Sequence, residues 1–269
     1  MDIYNTAEMD HMLFDKQDYA EDSVFKPENL LREARRQKSI PECDIPGICV
    51  LDPDGDIVEY LRRTGKASIN KCWSCYHTRM YEFEHQGTTV GIVGQAVGAS
   101  FAVLLAEQMF ASGCELLISI TSAGIILPPA GKNRFILIEQ ALRDEGTSHH
   151  YLPPDEPASI DPDLLDRLQP LQNEQALAVG IGKSWTTDAP YRETQSAIEQ
   201  VRQRGITAVE MEAAALYAFG QARQKRVVCF AHLTNTMAQD KEDFEKGIEN
   251  GSLDSLQLIG HTMSRIKQP

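Results

Sequence analysis

The sequence predicts an α/β fold of three layers, in which a central mixed sheet is flanked by helices. Two observations support this prediction. Short runs rich in β-branched and other apolar residues alternate with longer segments of helical periodicity. Most of these runs are continuously apolar, as strands are when both of their faces are buried. Strands that alternate with helices form a sheet covered by helices on both faces, so both sides of the sheet are buried.

Each element follows from a particular segment. The predicted strands are TTVGIVG (88–94), CELLISIT (114–121), RFILIEQAL (134–142), QALAVGIG (175–182) and VVCFAHLTN (227–235). The predicted helices are 99–113, 191–205, 208–226 and a C-terminal segment from about Asp254. Gly113 and Gly205 lie where glycines commonly end helices. Residues 1–40 are polar and have no repeating apolar face, so we expect an N-terminal arm with one short helix, followed by a single domain over 41–269.

The composition argues against several classes of function. The chain has 269 residues and a formal charge of −13, which disfavours nonspecific binding of nucleic acid because that binding requires Lys and Arg to neutralise phosphates. No apolar run approaches the roughly 18 to 20 residues that span a bilayer, and the acidic start is unlike a signal peptide. We therefore expect a cytoplasmic protein that binds neither nucleic acid nor membranes.

The cysteines and histidines do not form a metal-binding pattern. Only Cys72 and Cys75 form a CxxC pair, whereas a structural zinc site normally needs a second pair. We expect both to be ordinary thiols in a reducing compartment. His149 and His150 are adjacent but have no third ligand at metal spacing, so we predict no metal site.

Ligands of such sheets bind at the carboxyl ends of the strands, where loops lead into helices. Most of the unusual polar residues fall in five such loops: GQAVGAS (94–100), TSAG (121–124), DEGTSHHYLPP (144–154), WTTDAPYRET (185–194) and TNTMAQD (234–240). Gly94 and Gly98 let the backbone approach a ligand while free N–H groups point outward. Taken alone, a tight turn between strand and helix explains these glycines better than a ligand site does.

The loop WTTDAPYRET carries two kinds of signal. Its hydroxyl groups, Asp188 and Pro190 suit a well-capped helix start. Tyr191 and Arg192 offer in addition an aromatic plane and a guanidinium, which can stack on and hydrogen-bond a planar heterocycle or a phosphate.

Two acids lie in the segment VEMEAAALYAFG (209–220). On a helix, Glu212 would share one stripe with Leu216 and Phe219, so its carboxylate would head an apolar face. The favourable position of an acid at a helix N-terminus explains Glu210. It does not explain Glu212, because burying an unpaired charge costs several kcal/mol. A ligand that offers hydroxyl donors would satisfy this carboxylate.

VEMEAAALY resembles the signature segment of the nucleoside phosphorylase and nucleosidase family, which includes uridine phosphorylases, hexameric purine nucleoside phosphorylases and methylthioadenosine nucleosidases. The resemblance extends over roughly residues 88–240 and includes the glycine turn, TSAG, GTSHHYLPP, WTTDAPYRET and the strand that ends in LTN. It implies the three-layer fold described above and a homo-oligomer, either a dimer or a hexamer. It also implies that the ligands are a small nucleoside and inorganic phosphate, with no other cofactor.

The resemblance assigns roles to particular positions. It places Glu212 on the ribose 2′- and 3′-hydroxyls and Asn235 beside the base, at a position where purine-specific members carry an Asp that protonates the leaving purine. Uridine phosphorylases also carry Asn there, which favours a uridine-like substrate. The residues that the resemblance assigns to catalysis are Glu212, Arg192 and Asn235. The remaining implied contacts are Met211, Glu210, Tyr191, Thr187 and His150 for the nucleoside, and Gly94, Ser122, Gly124 and Arg79 for phosphate.

One segment departs from the family pattern. Uridine phosphorylases carry a GxPxR phosphate loop after the first strand, whereas this chain has VLDPDGDIVEYL (50–61), which contains no Arg. Asp52, Asp54 and Asp56 would repel phosphate unless Arg192, Arg79 or backbone amides compensate. Three hypotheses follow: phosphorolysis of a ribonucleoside, hydrolysis with an acid such as Asp56 as the general base, and nucleoside binding without catalysis.

Overall fold

The computed structural model describes residues 18–128, 133–174, 177–236 and 245–267. Its strands are β1 (Ile48–Asp52), β2 (Ala67–Ile69), β3 (Tyr81–His85), β4 (Thr88–Gly94), β5 (Leu116–Ile125), β6 (Phe135–Asp144), β7 (Ala158–Ser159), β8 (Val179–Thr187), β9 (Ile206–Glu210) and β10 (Arg226–Thr236). Its helices are α1 (Pro27–Lys38), α2 (Asp56–Arg63), α3 (Ala99–Phe110), α4 (Pro162–Leu168), α5 (Gln195–Gln203), α6 (Ala213–Arg223) and α7 (Ser252–Lys267).

All the strands belong to one mixed sheet, part of which closes on itself. The order across the sheet is β10-β6-β8-β9-β5-β1-β4-β3-β2, with β7 paired to β6. Because β10 also pairs with β5, the strands β5, β10, β6, β8 and β9 form a closed ring. β1 lies parallel to both β4 and β5, and β5 lies parallel to β10. The predicted α/β class, with a central mixed sheet and flanking helices, is confirmed.

The helices pack in two groups. On one side α3 packs against α6, where the rings of Phe110 and Phe219 lie 5.6 Å apart between centroids. α6 is buried all round its first eight residues, so it belongs to the core. In the other group α2 and α4 pack against α7. None of the helices among the described residues is long and apolar enough to cross a membrane.

The five predicted strands correspond to β4, β5, β6, β8 and β10, although residues 175–176 of the fourth lie outside the described residues. Two local predictions were wrong. TSAG continues β5 instead of forming a turn, because it pairs with β10 on one side and β9 on the other. The helix predicted over 208–226 begins at Ala213, because residues 208–210 pair as β9 with β5 and β8.

The N-terminal arm is tied to the domain more closely than its composition suggests. Residues 1–17 of the predicted arm lie outside the described residues, but α1 buries Leu31 and Ala34. Lys38 Nζ donates to the carbonyl oxygens of Ser74 (3.3 Å) and Cys75 (2.6 Å). The prediction of a free thiol at Cys72 was wrong: Cys72 forms a disulfide with Cys43, whereas Cys75 is free and buried. A local CxxC pattern cannot reveal a partner 29 residues away.

Candidate active site

The carboxyl ends of five strands, β1, β4, β5, β9 and β10, meet at one edge of the sheet. Because β1 is parallel to β4, Asp52 lies beside Gly94. On the next strands Asn235 of β10 and Val209 of β9 both flank Gly124 of β5. The edge therefore brings together the segment after β1, the glycine turn after β4, the end of β5 and the segment that leads from β9 into α6.

Glu212 lies at the centre of this edge and is 1% exposed. It occupies the N-cap position of α6, so it precedes the helix and does not head a stripe within it. Its Oε1 accepts the backbone N–H of Gly98 at 2.7 Å, and its Oε2 accepts the hydroxyl of Thr121 at 2.9 Å. The expectation that this carboxylate is unpaired within the protein was therefore wrong, since each oxygen already has one protein donor.

The surroundings of Glu212 disfavour its charge. Burial raises its pKa from 4.5 to about 8, and the nearby carboxylates of Glu210 and Asp54 contribute in the same direction. The donors Gly98 and Thr121 oppose this shift without cancelling it. A strongly shifted carboxyl group at a sheet edge is a common feature of functional sites.

Glu210 has a structural position, in contrast to its predicted contact with the nucleoside. Its Oε2 accepts the N–H groups of Glu212 and Ala213, both at 2.7 Å, and its Oε1 accepts the hydroxyls of Ser184 and Thr186. These four donors use the acceptor positions that a carboxylate offers. Glu210 therefore caps the start of α6 and joins it to β8, and the macrodipole of the helix favours its charge.

The two glycines of the turn after β4 have different roles. A Cβ on Gly94 would lie 3.0 Å from Val58 Cγ2 and 3.1 Å from Gly55 Cα, so Gly94 is explained by close packing against the start of α2. Gly98 has φ = +99°, which glycine adopts without strain, and its N–H points at Glu212. The free donor predicted for this turn thus binds a carboxylate of the protein itself.

Ser122, a predicted phosphate ligand, also binds a carboxylate of the protein. Asp54 Oδ2 accepts the Ser122 N–H at 2.9 Å and the Ser122 hydroxyl at 2.6 Å. Asp54 Oδ1 lies 3.6 Å from Nζ of Lys246, which binds Asp56 Oδ2 at 2.6 Å. The N–H and hydroxyl of Ser122 are thus arranged to bind an oxyanion, and Asp54 occupies that position.

The three acids after β1 differ in their contacts. Asp52 is buried and accepts the N–H groups of Gly55 (3.2 Å) and Val58 (2.9 Å), which fixes the turn into α2. Burial raises the pKa of Asp52 to about 7. Asp56, the predicted general base, is bound by Lys246 and by the Asn250 amide at 3.0 Å. Asp54 is the acid that reaches β5.

The remaining predicted site residues differ in position and burial. Asn235 and Met211 are half-buried at the sheet edge, and the hydroxyl of Thr234 donates to Asn235 Oδ1 at 3.1 Å. Thr187 is buried at the end of β8, where its hydroxyl accepts the N–H of Ala189 at 3.2 Å. His150 is exposed, in a 3₁₀ turn over Ser148–His150.

The predicted arginines do not join the acidic edge, which is the part of the sheet edge that carries Asp52, Asp54, Asp56 and Glu212. Tyr191 is 99% exposed, and Arg192 and Arg79 are also exposed. Within the described part of the chain, none of these three side chains makes a hydrogen bond or an ion pair. The cation that does contact the edge is Lys246.

Sequence reasoning missed Lys246 as a partner of the acids, and it also missed Arg143. Lys246 follows residues 237–244, which lie outside the described residues and include part of the predicted loop TNTMAQD. Arg143 lies near the end of β6 and donates to the Ser148 hydroxyl at 2.8 Å and to the carbonyl oxygens of Leu152, Pro153 and Glu156. It therefore holds the predicted GTSHHYLPP loop in place. Its position beside that loop was the available signal.

Comparison with known families decides the identity of the fold. A model of the Phosphorylase superfamily matches residues 48–262, which is most of the chain. The chain belongs to the Phosphorylase superfamily. This membership confirms the family predicted from the motifs, and with it the enzyme class of the nucleoside phosphorylases, which are pentosyltransferases. Phosphorylases of this family use phosphate as a second substrate and need no cofactor.

The relatives of this chain are distant. The uridine phosphorylase of Thermococcus kodakarensis is 24% identical over 199 residues, which are 65% of this chain and 72% of that protein. The guanosine phosphorylase of Halorubrum lacusprofundi is 24% identical over 142 residues, 53% of this chain and 59% of that protein. A solved structure of purine nucleoside phosphorylase from Toxoplasma gondii, in complex with immucillin-H, has a TM-score of 0.69 at 16% identity, over 84% of this chain and 94% of that one. These relatives act on different nucleosides, so the similarity does not identify the base of this chain's substrate.

Proposed function

We propose that this protein cleaves the N-glycosidic bond of a ribonucleoside, with a uridine-like nucleoside preferred, to give the free base and ribose 1-phosphate. The observation that carries the proposal is the buried carboxylate of Glu212, held between Gly98 and Thr121 at the sheet edge. A carboxylate oxygen that has accepted one donor can accept a second. Glu212 would take the ribose 2′- and 3′-hydroxyls in this way.

The chemistry of the step suits these residues. A phosphate oxygen forms a bond to C1′ while the bond from C1′ to the base nitrogen breaks, and its electron pair leaves with the base, which takes up a proton. The ribosyl group carries positive charge in the transition state, so a carboxylate near the sugar stabilises that state more than the ground state. Holding sugar and phosphate in line supplies much of the remaining acceleration.

The preference for a uridine-like base rests on Asn235. A carboxamide cannot deliver a proton as an acid does, which disfavours a mechanism that protonates a leaving purine. With Oδ1 engaged by Thr234, its Nδ2 has no partner within the described residues and can donate to a carbonyl oxygen of the base.

Hydrolysis is a second candidate, and the contact between Asp54 and Ser122 favours it. The carboxylate of Asp54 occupies the donors that would hold phosphate, and Asp52 and Asp56 lie nearby. A carboxylate there repels a phosphate dianion, whereas it can accept a proton from an attacking water. The oxygen of that water would bond to C1′ and the base would leave as before.

One assay separates the candidates. The protein is incubated with uridine, inosine and methylthioadenosine, each with and without phosphate, and release of base is followed. We expect base release from uridine that requires phosphate and yields ribose 1-phosphate. Release that ignores phosphate supports hydrolysis, and tight nucleoside binding without any release supports the third hypothesis, a binding protein.

Assembly and location belong to the same proposal. We expect a homodimer or a hexamer in the cytoplasm, in which Arg79 of one subunit serves the site of its neighbour. Light scattering on the purified protein measures the size of the assembly, and a monomer that retains full activity would contradict this role for Arg79.

A further inference from the structure

A cavity of about 540 Å³ lies between the N-terminal arm and the helices α3 and α6. Arm residues between Asp22 and Leu30 form one wall, and the opposite wall comes from α3, Phe219 and the turn after α6. None of the residues of the acidic edge lines it. The volume lies within the range of cavities that hold small molecules in proteins.

One buried acceptor in this cavity has no partner. Gln108 lines the cavity and is 2% exposed. Its Nε2 donates to the carbonyl of Leu104 at 3.2 Å, but its Oε1 has no hydrogen bond within the described residues. A buried acceptor without a donor costs folding free energy, which a ligand with an N–H or O–H group would recover.

Two cations in the lining make no ion pair within the described residues, although Asp22 interacts with Arg223 at longer range. The guanidinium of Arg223 lies 6.0 Å from the ring centroid of Tyr151, and Nζ of Lys225 lies 5.5 Å from that of Phe110. The third cation, Lys26, is paired with Asp22 at 2.6 Å. Two cations that lie over aromatic faces and make no ion pair can bind an anion.

The other acids of the lining do not neutralise these cations by contact. Glu107 accepts the hydroxyl of Tyr151 at 2.9 Å. Burial raises the pKa of Tyr151, so that hydroxyl keeps its proton and remains a donor to Glu107. Glu28 lies in the first turn of α1, where the helix macrodipole favours it.

The apolar part of the lining is largely aromatic. Phe219 contacts both Phe110 and Tyr151, with ring centroids 5.6 Å and 5.9 Å away, and the second contact is edge-to-face. Across the cavity, Phe25 on the arm is 71% exposed. Aromatic walls favour a flat ring, because offset and edge-to-face contacts stabilise it beyond its buried area.

We propose that this cavity binds a planar aromatic anion that carries a hydrogen-bond donor, with its ring against Phe110 and Phe219, its anion at Arg223 and Lys225, and its donor on Gln108. The family match begins at residue 48, whereas the arm wall of the cavity precedes it. The site is therefore a property of this chain's own arm, and it does not depend on the proposed phosphorolysis.

Titration calorimetry with 6-hydroxy-2-naphthoate tests the proposal, because this probe carries a flat ring, a carboxylate and a hydroxyl. We expect one saturable site per chain. The neutral 2-naphthol should bind at least about tenfold more weakly, and 2-naphthoate, which lacks the donor, a few-fold more weakly. Arg223→Gln should lower the affinity about tenfold, whereas the matched control Arg226→Gln, outside the cavity, should leave it unchanged.

A second variant tests the donor contact. Gln108→Leu should abolish the advantage of 6-hydroxy-2-naphthoate over 2-naphthoate while leaving the affinity for 2-naphthoate within about twofold. Melting temperatures of all variants are recorded with saturating probe and without it, so that a folding defect is separated from a binding defect.

The first four outcomes that overturn the proposal concern the probe and the cavity variants. Three of them are the absence of saturable binding, equal binding of 2-naphthol, and an equal loss of affinity in Arg223→Gln and Arg226→Gln. The fourth is probe binding that appears only when an oligomer dissociates, because this result means that a second copy of the chain fills the cavity. Loss of probe binding in Glu212→Gln also overturns it, because the probe would then occupy the acidic edge. Failure of the nucleoside assay leaves all of these measurements unaffected.

Discussion

The two acidic regions at the sheet edge hold their carboxylates in different ways. At the start of α6, Glu210 and Glu212 are both almost fully buried, and all of the hydrogen bonds to them come from backbone N–H groups or hydroxyls. In the turn after β1, Asp54 and Asp56 are partly exposed and share the cation Lys246. The first region buries its carboxyl groups without a cation beside them among the described residues, and burial raises their pKa values. The second region balances its charge with a lysine nearer the surface.

This difference indicates which function suits each acid. A buried carboxylate with fixed donors is held in one position, as binding a sugar diol requires. A partly exposed carboxylate paired with a lysine can exchange its partners at moderate cost. We therefore expect Glu212 to set turnover, Glu210 to set stability and Asp54 to set the response to phosphate.

The largest expected effect is that of Glu212→Gln on turnover. The carboxamide has nearly the same shape, but it has no negative charge to stabilise the ribosyl cation. We expect kcat to fall by about 100-fold to 1000-fold, while the melting temperature is retained. Steady-state assays of base release measure this effect, and unchanged turnover would remove Glu212 from the site.

Glu210→Ala should act on stability first. It removes the acceptor for two N–H groups at the start of α6 and for the hydroxyls of Ser184 and Thr186. We expect the free energy of unfolding to fall by about 3 kcal/mol in a urea titration. If this variant does not fold, Glu210→Gln should show a smaller loss. The exposed control Glu199→Gln should change stability by less than about 0.5 kcal/mol.

The pKa of Glu212 predicts how activity depends on pH. With a pKa of about 8 in the free enzyme, the ionised form that accepts the ribose hydroxyls becomes dominant only in alkaline solution. We expect kcat/KM for the nucleoside to rise about tenfold between pH 7 and pH 9. A flat profile over that range would contradict an essential ionised Glu212.

Stability should change with pH in the opposite direction. Because the folded pKa of Glu212 is raised above 4.5, the native state binds the proton more tightly than the unfolded state does. Its contribution to stability is complete below about pH 4.5 and is lost as the pH rises through about 8. The pKa of Asp52 is also raised, so its contribution to stability changes with pH in the same direction. Subtracting the pH dependence of the unfolding free energy of Glu212→Gln from that of the wild type therefore isolates the contribution of Glu212.

The smallest expected effect is that of Asp54→Asn on the KM for phosphate. Removing the charge that occupies the donors of Ser122 should lower this KM about fivefold. Asp56→Asn is the matched control, because Asp56 binds Lys246 and does not contact Ser122. If Asp54→Asn instead abolishes base release that occurs without phosphate, Asp54 is the base of a hydrolytic reaction.

Much of the fold could be predicted from local patterns. The apolar runs that became β4, β6 and β10 were recognisable because strands buried on both faces need no partner to reveal them. β9 could not be recognised in the same way. Its residues 206–210 run directly into the helix-forming series Ala213–Ala215, and only pairing with β5 and β8 makes them a strand.

The candidate site likewise has features that a local sequence pattern predicts and features that depend on long-range contacts. The sequence alone predicted the family, and it singled out Glu212 as a candidate site residue, because an acid followed by an apolar helix is a local pattern with a local cost. Only the tertiary structure decided what holds each carboxylate: Gly98 lies 114 positions from Glu212, and Ser122 lies 68 positions from Asp54. Contacts of that span depend on which strands lie side by side, and the order of strands in a sheet is set by the packing of the whole chain.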